Sequence, residues 1–299
     1  EGWSFSGIAL GKLDIQSPPG GNVQGRLQLS ISPELEHNFT VPRAYLRFRL
    51  PVTEDVMLRI TSGIDRVTWG VGSVLNAGDL IFQANPDSAD SLQTFDSVRD
   101  ETAMLFSVYA PLGELNFLEA VVLPEQGAVP RFGLRLHSAF EQFSLESSYL
   151  YDGSDNEHGV SVSLQRDLFG ADVYGGFSLK GDFSDSASVK EGLILTGGGI
   201  YSWRIGYDQQ LSARLEAMVT PGGEHLLKLY GDIGYVPNRT VRLIARGLVE
   251  PDRDWESTLM IGASWNLFQG FDIQSSVLSS FSRKGFSSEV ITLGCSYRF

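Results

Sequence analysis

Only one cysteine, Cys295, and four histidines occur in 299 residues. A single thiol closes no intramolecular disulfide, and no Cys/His spacing matches a metal site, so a disulfide scaffold and a zinc module are excluded and no cofactor is expected. Positive charge is scarce as well: 23 Lys and Arg stand against 36 Asp and Glu, a formal net charge of −13. A chain of that sign offers no general surface for nucleic acid, because binding there runs on Lys/Arg displacing counterions. No run approaches the ~18 to 20 apolar residues of a membrane-spanning helix, and no long stretch repeats at a period of 3.6. Helical membrane proteins and helix bundles are therefore excluded. The chain opens on Glu1-Gly2-Trp3 without basic and apolar signal-peptide regions, the expectation for a mature, processed chain or for one never exported.

What is present is alternation, with apolar residues at every second position between clusters of Gly, Pro, Asn and Asp. Ala44, Leu46, Phe48 and Leu50 alternate with Arg43, Tyr45, Arg47 and Arg49; Phe132, Leu134 and Leu136 alternate with Arg131, Arg135 and His137. The same holds for Leu211 to Val219, Leu227 to Tyr235 and Leu259 to Leu267. Period two means strand. The links between strands are sorted by length. Short ones at Asp167 to Gly170, Asp208 to Gln210, Pro237 to Arg239 and Phe268 to Gly270 alternate with longer ones at Tyr151 to His158, Gly181 to Glu191, Pro221 to Glu224 and Glu250 to Glu256. A sandwich has no reason to sort its links, whereas an outer-membrane barrel has short periplasmic turns and long extracellular loops.

The last segment alternates Ile291, Leu293, Cys295, Tyr297 and Phe299 with polar residues. A strand of this kind ending on Phe resembles the insertion signal of bacterial outer-membrane barrels, which implies recognition through Tyr297 and Phe299 by the barrel-assembly machinery. The expected fold is all-β: one antiparallel transmembrane barrel over residues 1–299, of about sixteen strands within a range of fourteen to eighteen. About seventeen segments qualify, and the surplus is placed near Ser32 to Val41.

If the apolar face meets lipid, its partner face is wet and carries Arg26, Arg43, Arg47, Arg49, Arg59, Arg131, Arg135, Arg204, Arg214, Lys228, Arg242 and Arg246 against Glu146, Asp172, Glu216, Asp232 and Asp272. Charges cost ~2 to 4 kcal/mol on the lipid face near the bilayer midplane and little in a wet lumen. Most remaining acids are expected in hydrated outer links. Side chains alone do not fill a barrel of about sixteen strands, so an open lumen is favoured over a plugged one.

The link from Gly63 to Glu101 is far longer than the rest, and links of this length are usually functional. It carries Trp69-Gly70-Val71-Gly72 and Asn76-Ala77-Gly78-Asp79, and it lies between Arg43-Ala44-Tyr45-Leu46 and Leu118-Glu119-Ala120-Val121-Val122-Leu123-Pro124. From Gly25 to Leu136, and in its last strand, the chain resembles bacterial outer-membrane porin-like proteins, although Ala77 stands where that group often has Pro. The resemblance implies a porin-like channel with this loop packed near or inside the lumen. Asp65, Arg66, Trp69, Asn76, Asp79, Asp87, Asp96 and Asp100 are its candidate constriction residues. Its acids could face the arginines and select permeants by charge, or the loop could only brace the wall through Trp69 and Phe82.

Other chemistry is thin. Asp155 and His158 form the one close pair that a rim hydrolase could use. Gly197-Gly198-Gly199 lacks the helix and the Lys-Ser/Thr of a phosphate loop and reads as strand flexibility. Trp3, Trp203, Trp255, Trp265, Tyr149, Tyr151, Tyr207 and Tyr235 fall near strand ends, where interfacial aromatics belong. The expected role is passive diffusion of small hydrophilic solutes or ions across a bacterial outer membrane, without enzymatic activity. The alternative is a structural or adhesive barrel with a plugged lumen. The expected partners are outer-membrane lipid, the assembly machinery and the solutes; the sequence leaves permeant charge and oligomeric state open.

Overall fold

The computed structural model describes residues 11–17, 21–31, 39–53, 56–82, 101–125, 129–184, 192–222, 226–251, 255–268, 271–283 and 285–297. These hold seventeen strands in one antiparallel sheet, one more than the sixteen expected and inside the expected range. The surplus segment lies largely outside the described residues, as do Trp3 and the rest of residues 1–10. The chain divides into two compact units, Glu1–Thr68 with Glu101–Leu136 and Leu150–Asn156, and Trp69–Asp100 with His137–Tyr149 and Glu157–Phe299.

In the first unit β1 (Gly11–Gln16), β2 (Val23–Ile31), β3 (Phe39–Pro51), β4 (Met57–Asp65), β5 (Ala103–Pro111) and β6 (Phe117–Leu123) pair in chain order. It also holds most of β7 (Arg131–Ala139), while most of β8 (Ser144–Asp152) falls in the second unit. There β9 (Glu157–Leu168), β10 (Ala171–Gly181), β11 (Leu193–Arg204), β12 (Gln210–Val219), β13 (Leu227–Asn238), β14 (Val241–Glu250), β15 (Glu256–Phe268), β16 (Phe271–Ser282) and β17 (Gly285–Tyr297) again pair consecutively.

Hairpin follows hairpin because each tight link is built for reversal. Between β9 and β10 only Phe169 (φ +57) and Gly170 (φ +81) intervene. Two left-handed residues make the turn whose twist matches the flanking strands. Links of the same length join β13 to β14 and β15 to β16, whereas the other end carries 66–102 and 182–192. The sorting is less strict than the sequence suggests. The expected long links at Tyr151 to His158 and Glu250 to Glu256 contract to 153–156 and 251–255, because the flanking strands absorb their ends, and β16 joins β17 through 283–284 alone.

The two faces of the sheet differ in the sense opposite to a soluble protein. Leu215 is 69% exposed beside Glu216 at 1%, and Ile261 is 57% exposed beside Met260 at 0%. Leu46, Phe106, Leu134, Ile233 and Leu259 are likewise exposed. Left in water, such a surface would forfeit roughly 25 cal/mol per Å², so a continuous apolar face of strands calls for an apolar solvent. Interfacial aromatics border it: the rings of Tyr201 and Trp203 lie 4.3 Å apart at the end of β11, and those of Phe268 and Phe271 stack at 5.2 Å. Replacing Ile233 by Arg is expected to destabilise the protein in phospholipid vesicles by ~2 to 4 kcal/mol, read from urea unfolding; an unchanged midpoint would deny this face to lipid.

Candidate channel lining

In the first unit the face opposite Leu46, Phe48 and Leu50 carries a row of cations fixed by register. Arg49 stands opposite Arg59, Arg59 opposite Tyr109, and Tyr109 opposite Glu119. The Arg59 guanidinium lies 4.3 Å from the centre of the Tyr109 ring, Tyr109 and Phe117 are 4.7 Å apart, and Arg135 lies 4.9 Å from Phe117. Cations over aromatic faces are stabilised without being neutralised. Among the described residues no carboxylate pairs with Arg43, Arg49 or Arg59.

Much of the expected basic wall is, however, neutralised. Arg26 pairs with Asp14 at 2.5 Å, Arg47 with Asp65 at 3.5 Å, Arg131 with Glu125 at 2.7 Å and Arg135 with Glu119 at 2.9 Å. In the second unit Arg214 pairs with Asp232 at 3.5 Å and Lys228 with Glu250 at 3.1 Å. Asp14, Asp65, Glu119 and Glu250 lie within strands and escape an inventory that assigns most acids to links. Lys180 likewise pairs with Glu157, which begins β9, at 3.1 Å. Arg204 and Arg242 are exposed near strand ends, and Arg246 is buried.

The described part of the long link from Trp69 to Phe82 packs against its own unit. Trp69, Val74, Leu75, Asn76, Ala77, Asp79, Leu80 and Ile81 are all buried. Val74 and Leu75 join Met218, Tyr230, Ile244, Leu248, Met260 and Leu278 in one apolar cluster on the face opposite Leu215 and Ile261. Two carboxylates hold the backbone. Glu146 of β8 accepts the Gly70 N–H. Glu216 of β12 accepts the N–H groups of Ser73 at 2.9 Å, Val74 at 2.9 Å and Leu75 at 2.6 Å, and also the Tyr174 hydroxyl. Arg214 donates to the Ser73 hydroxyl, and the Ala77 N–H reaches Thr196 Oγ1 at 3.3 Å.

Asn76 makes the bend itself. Its amide donates to Trp69 O at 2.7 Å and its Oδ1 accepts the Gly78 N–H at 2.9 Å. The Asn76 Oδ1 occupies the space that a Cβ on Gly70 would need, and Gly70 is also left-handed at φ +77. Only glycine meets both demands, which accounts for the spacing of the Trp-Gly and Asn-x-Gly pieces. Asp79 is buried and accepts the Phe82 N–H at 3.2 Å. Arg66 donates to the Glu101 carboxylate at 2.8 Å, and Arg135 to Thr68 O at 2.7 Å.

Of the expected loop residues, Asp87, Asp96 and Asp100 lie outside the described residues. Phe299 does as well; Tyr297 ends β17 opposite Phe271. His158 receives or donates a 2.8 Å bond at Nδ1 with the Tyr149 hydroxyl and stacks on Phe183. Asp182, in the link after β10, is held below the usual carboxylate range by the Ser184 N–H and hydroxyl. The sequence reading of Gly197-Gly198-Gly199 as mere flexibility is corrected. Gly198 lies between Tyr174 and Glu216 in register, and its missing side chain lets Tyr174 reach Glu216 across it. This triad appears only when β10, β11 and β12 are aligned.

No protein-family model matches the chain, and no curated protein matches its sequence. Solved structures do match its fold. The chain is similar to OccK10 (OpdN) of Pseudomonas aeruginosa, with a TM-score of 0.56 and 10% identity over 96% of this chain and 92% of that one. It is similar to OccAB4 of Acinetobacter baumannii, with a TM-score of 0.57 and 8% identity over 95% and 88%. It is similar also to the outer membrane protein OpdK of P. aeruginosa, at 0.56 and 12% identity over 96% and 90%. The fold is that of an outer-membrane β-barrel.

Proposed function

We propose that this chain is a bacterial outer-membrane channel through which small hydrophilic solutes diffuse passively, with anions favoured over cations and no reaction catalysed. The observation that carries this reading is the row of Arg43, Arg49 and Arg59, which has no carboxylate partner among the described residues, on the face opposite the lipid-facing residues. A cation in a wet lumen attracts counter-ions, and rings or clusters of charge set selectivity. Among the described residues, the loop acids Asp65 and Asp79 do not oppose it: Asp65 is paired with Arg47, and Asp79 is buried in its own loop. In this reading the loop of residues 63–101 folds into the lumen and narrows it, since its described part is bound to the inner faces of β8, β11 and β12. The last strand serves recognition by the assembly machinery.

The aromatic rings among these cations suggest the kind of anion. OpdK has been solved with vanillate, an aromatic carboxylate. Here Arg59 and Arg135 flank the Tyr109 and Phe117 rings, an arrangement that suits a flat carboxylate with an apolar ring. The test is solute entry into proteoliposomes, with benzoate compared against benzylammonium of similar size. Faster benzoate entry is expected; equal rates would remove the proposed preference, and no entry of either would favour the structural or adhesive barrel.

A further inference from the structure

We infer that Glu216, reached by Tyr174 across Gly198, is the latch that fixes the Ser73 to Leu75 segment of the long loop and holds the channel at one open width. This rests on the channel reading above and extends it to what controls the opening. The carboxylate is 1% exposed and sits on the inner face of β12. Its Oε1 accepts from the Ser73 N–H and the Tyr174 hydroxyl, and its Oε2 from the Val74 and Leu75 N–H groups. Three successive loop amides converging on one carboxylate form an anion nest, here occupied by a wall residue instead of a ligand.

The loop has few other ways to satisfy those amides, since a buried N–H without an acceptor is costly. A β-branched or longer residue at position 198 would occupy the path that Tyr174 takes. A Cβ there would lie 3.1 Å from Tyr174 Cε2 and 3.0 Å from Glu216 Cγ. The segment's own side chains, Val74 and Leu75, are packed in the apolar cluster, so they resist withdrawal but set no direction. The carboxylate supplies the direction, because its acceptors lie where the three amides point. Glu216 acts on permeation through the loop and is a positioning residue.

Glu216→Gln keeps the size of the side chain and turns one acceptor oxygen into a donor, so donors of the nest then face a donor. Amide exchange at Ser73, Val74 and Leu75 is expected to rise about tenfold or more, while β12 to β16 keep wild-type protection. In planar bilayers the single open level should break into several. A disulfide joining cysteines placed by Ala77→Cys and Thr196→Cys, whose backbone N–H and side chain already meet, should restore one level to Glu216→Gln. Tyr174→Phe, which keeps the carboxylate, should give a weaker change of the same kind and serves if Glu216→Gln does not fold. Wild-type exchange and a single steady level in both variants would overturn the latch; so would faster exchange spread over the whole barrel. Silence of the wild-type protein in bilayers would refute the channel reading, and the exchange pattern would still decide the latch.

Discussion

Gly198→Val is expected to destabilise the folded protein by about 3 kcal/mol or more, combining overpacking with broken hydrogen bonds. A Cβ at this position would stand 2.6 Å from the carbonyl oxygen of Leu215, a backbone atom held in the β12 ladder. It would also push on Glu216 and Tyr174, and displacing Glu216 strips the Ser73, Val74 and Leu75 amides of their acceptor. Gly197→Val is the control. A Cβ there meets only the Tyr174 carbonyl, at 3.7 Å, and it points to the opposite face, where lipid receives a valine readily. Urea unfolding of both variants in phospholipid vesicles, with protease cleavage of the loop as a second readout, checks the difference. Equal stability of the two would mean that the packing around Glu216 has no bearing on the fold.

Arg49→Gln with Arg59→Gln is expected to lower the anion-to-cation permeability ratio by about tenfold, since one charge near 4 Å contributes ~1 kcal/mol even at the dielectric of water. Both residues are half-buried, neither has a carboxylate partner among the described residues, and they face each other across β3 and β4. Removing them takes away free charge without stranding an acid. Arg135→Gln differs in kind. It deprives buried Glu119 of its 2.9 Å partner and Thr68 of a donor, so its effect should appear in stability and in the base of the loop more than in selectivity. Reversal potentials separate the cases; a ratio unmoved by the double substitution would show that these arginines do not face the permeating ion.

The architecture was legible because a lipid-facing sheet must alternate. Leu46, Leu134, Leu215 and Ile261 lie on the exposed face as their spacing predicts. The motif loop was legible for a similar reason, since Gly70 and Asn76 make one bend between them. Pairing was not. Alternation says that Arg47 and Asp65 share a face but not that they meet, which depends on how β3 and β4 align. An inventory that leaves Asp14, Asp65, Glu119 and Glu250 out of the wall exaggerates its positive charge. The role of Glu216 was hidden more deeply, because its partners lie at positions 73 to 75 and 174 and only the assembled sheet brings them together.

The most direct test of the account is the reversal potential of the wild-type protein in a planar bilayer across a KCl gradient. Arg43, Arg49 and Arg59, which have no carboxylate partner among the described residues, together with the bound Asp65 and Asp79, predict stable conductance steps and a potential displaced toward the chloride equilibrium value. A displacement toward the potassium value, or a folded barrel that carries no current, would contradict it.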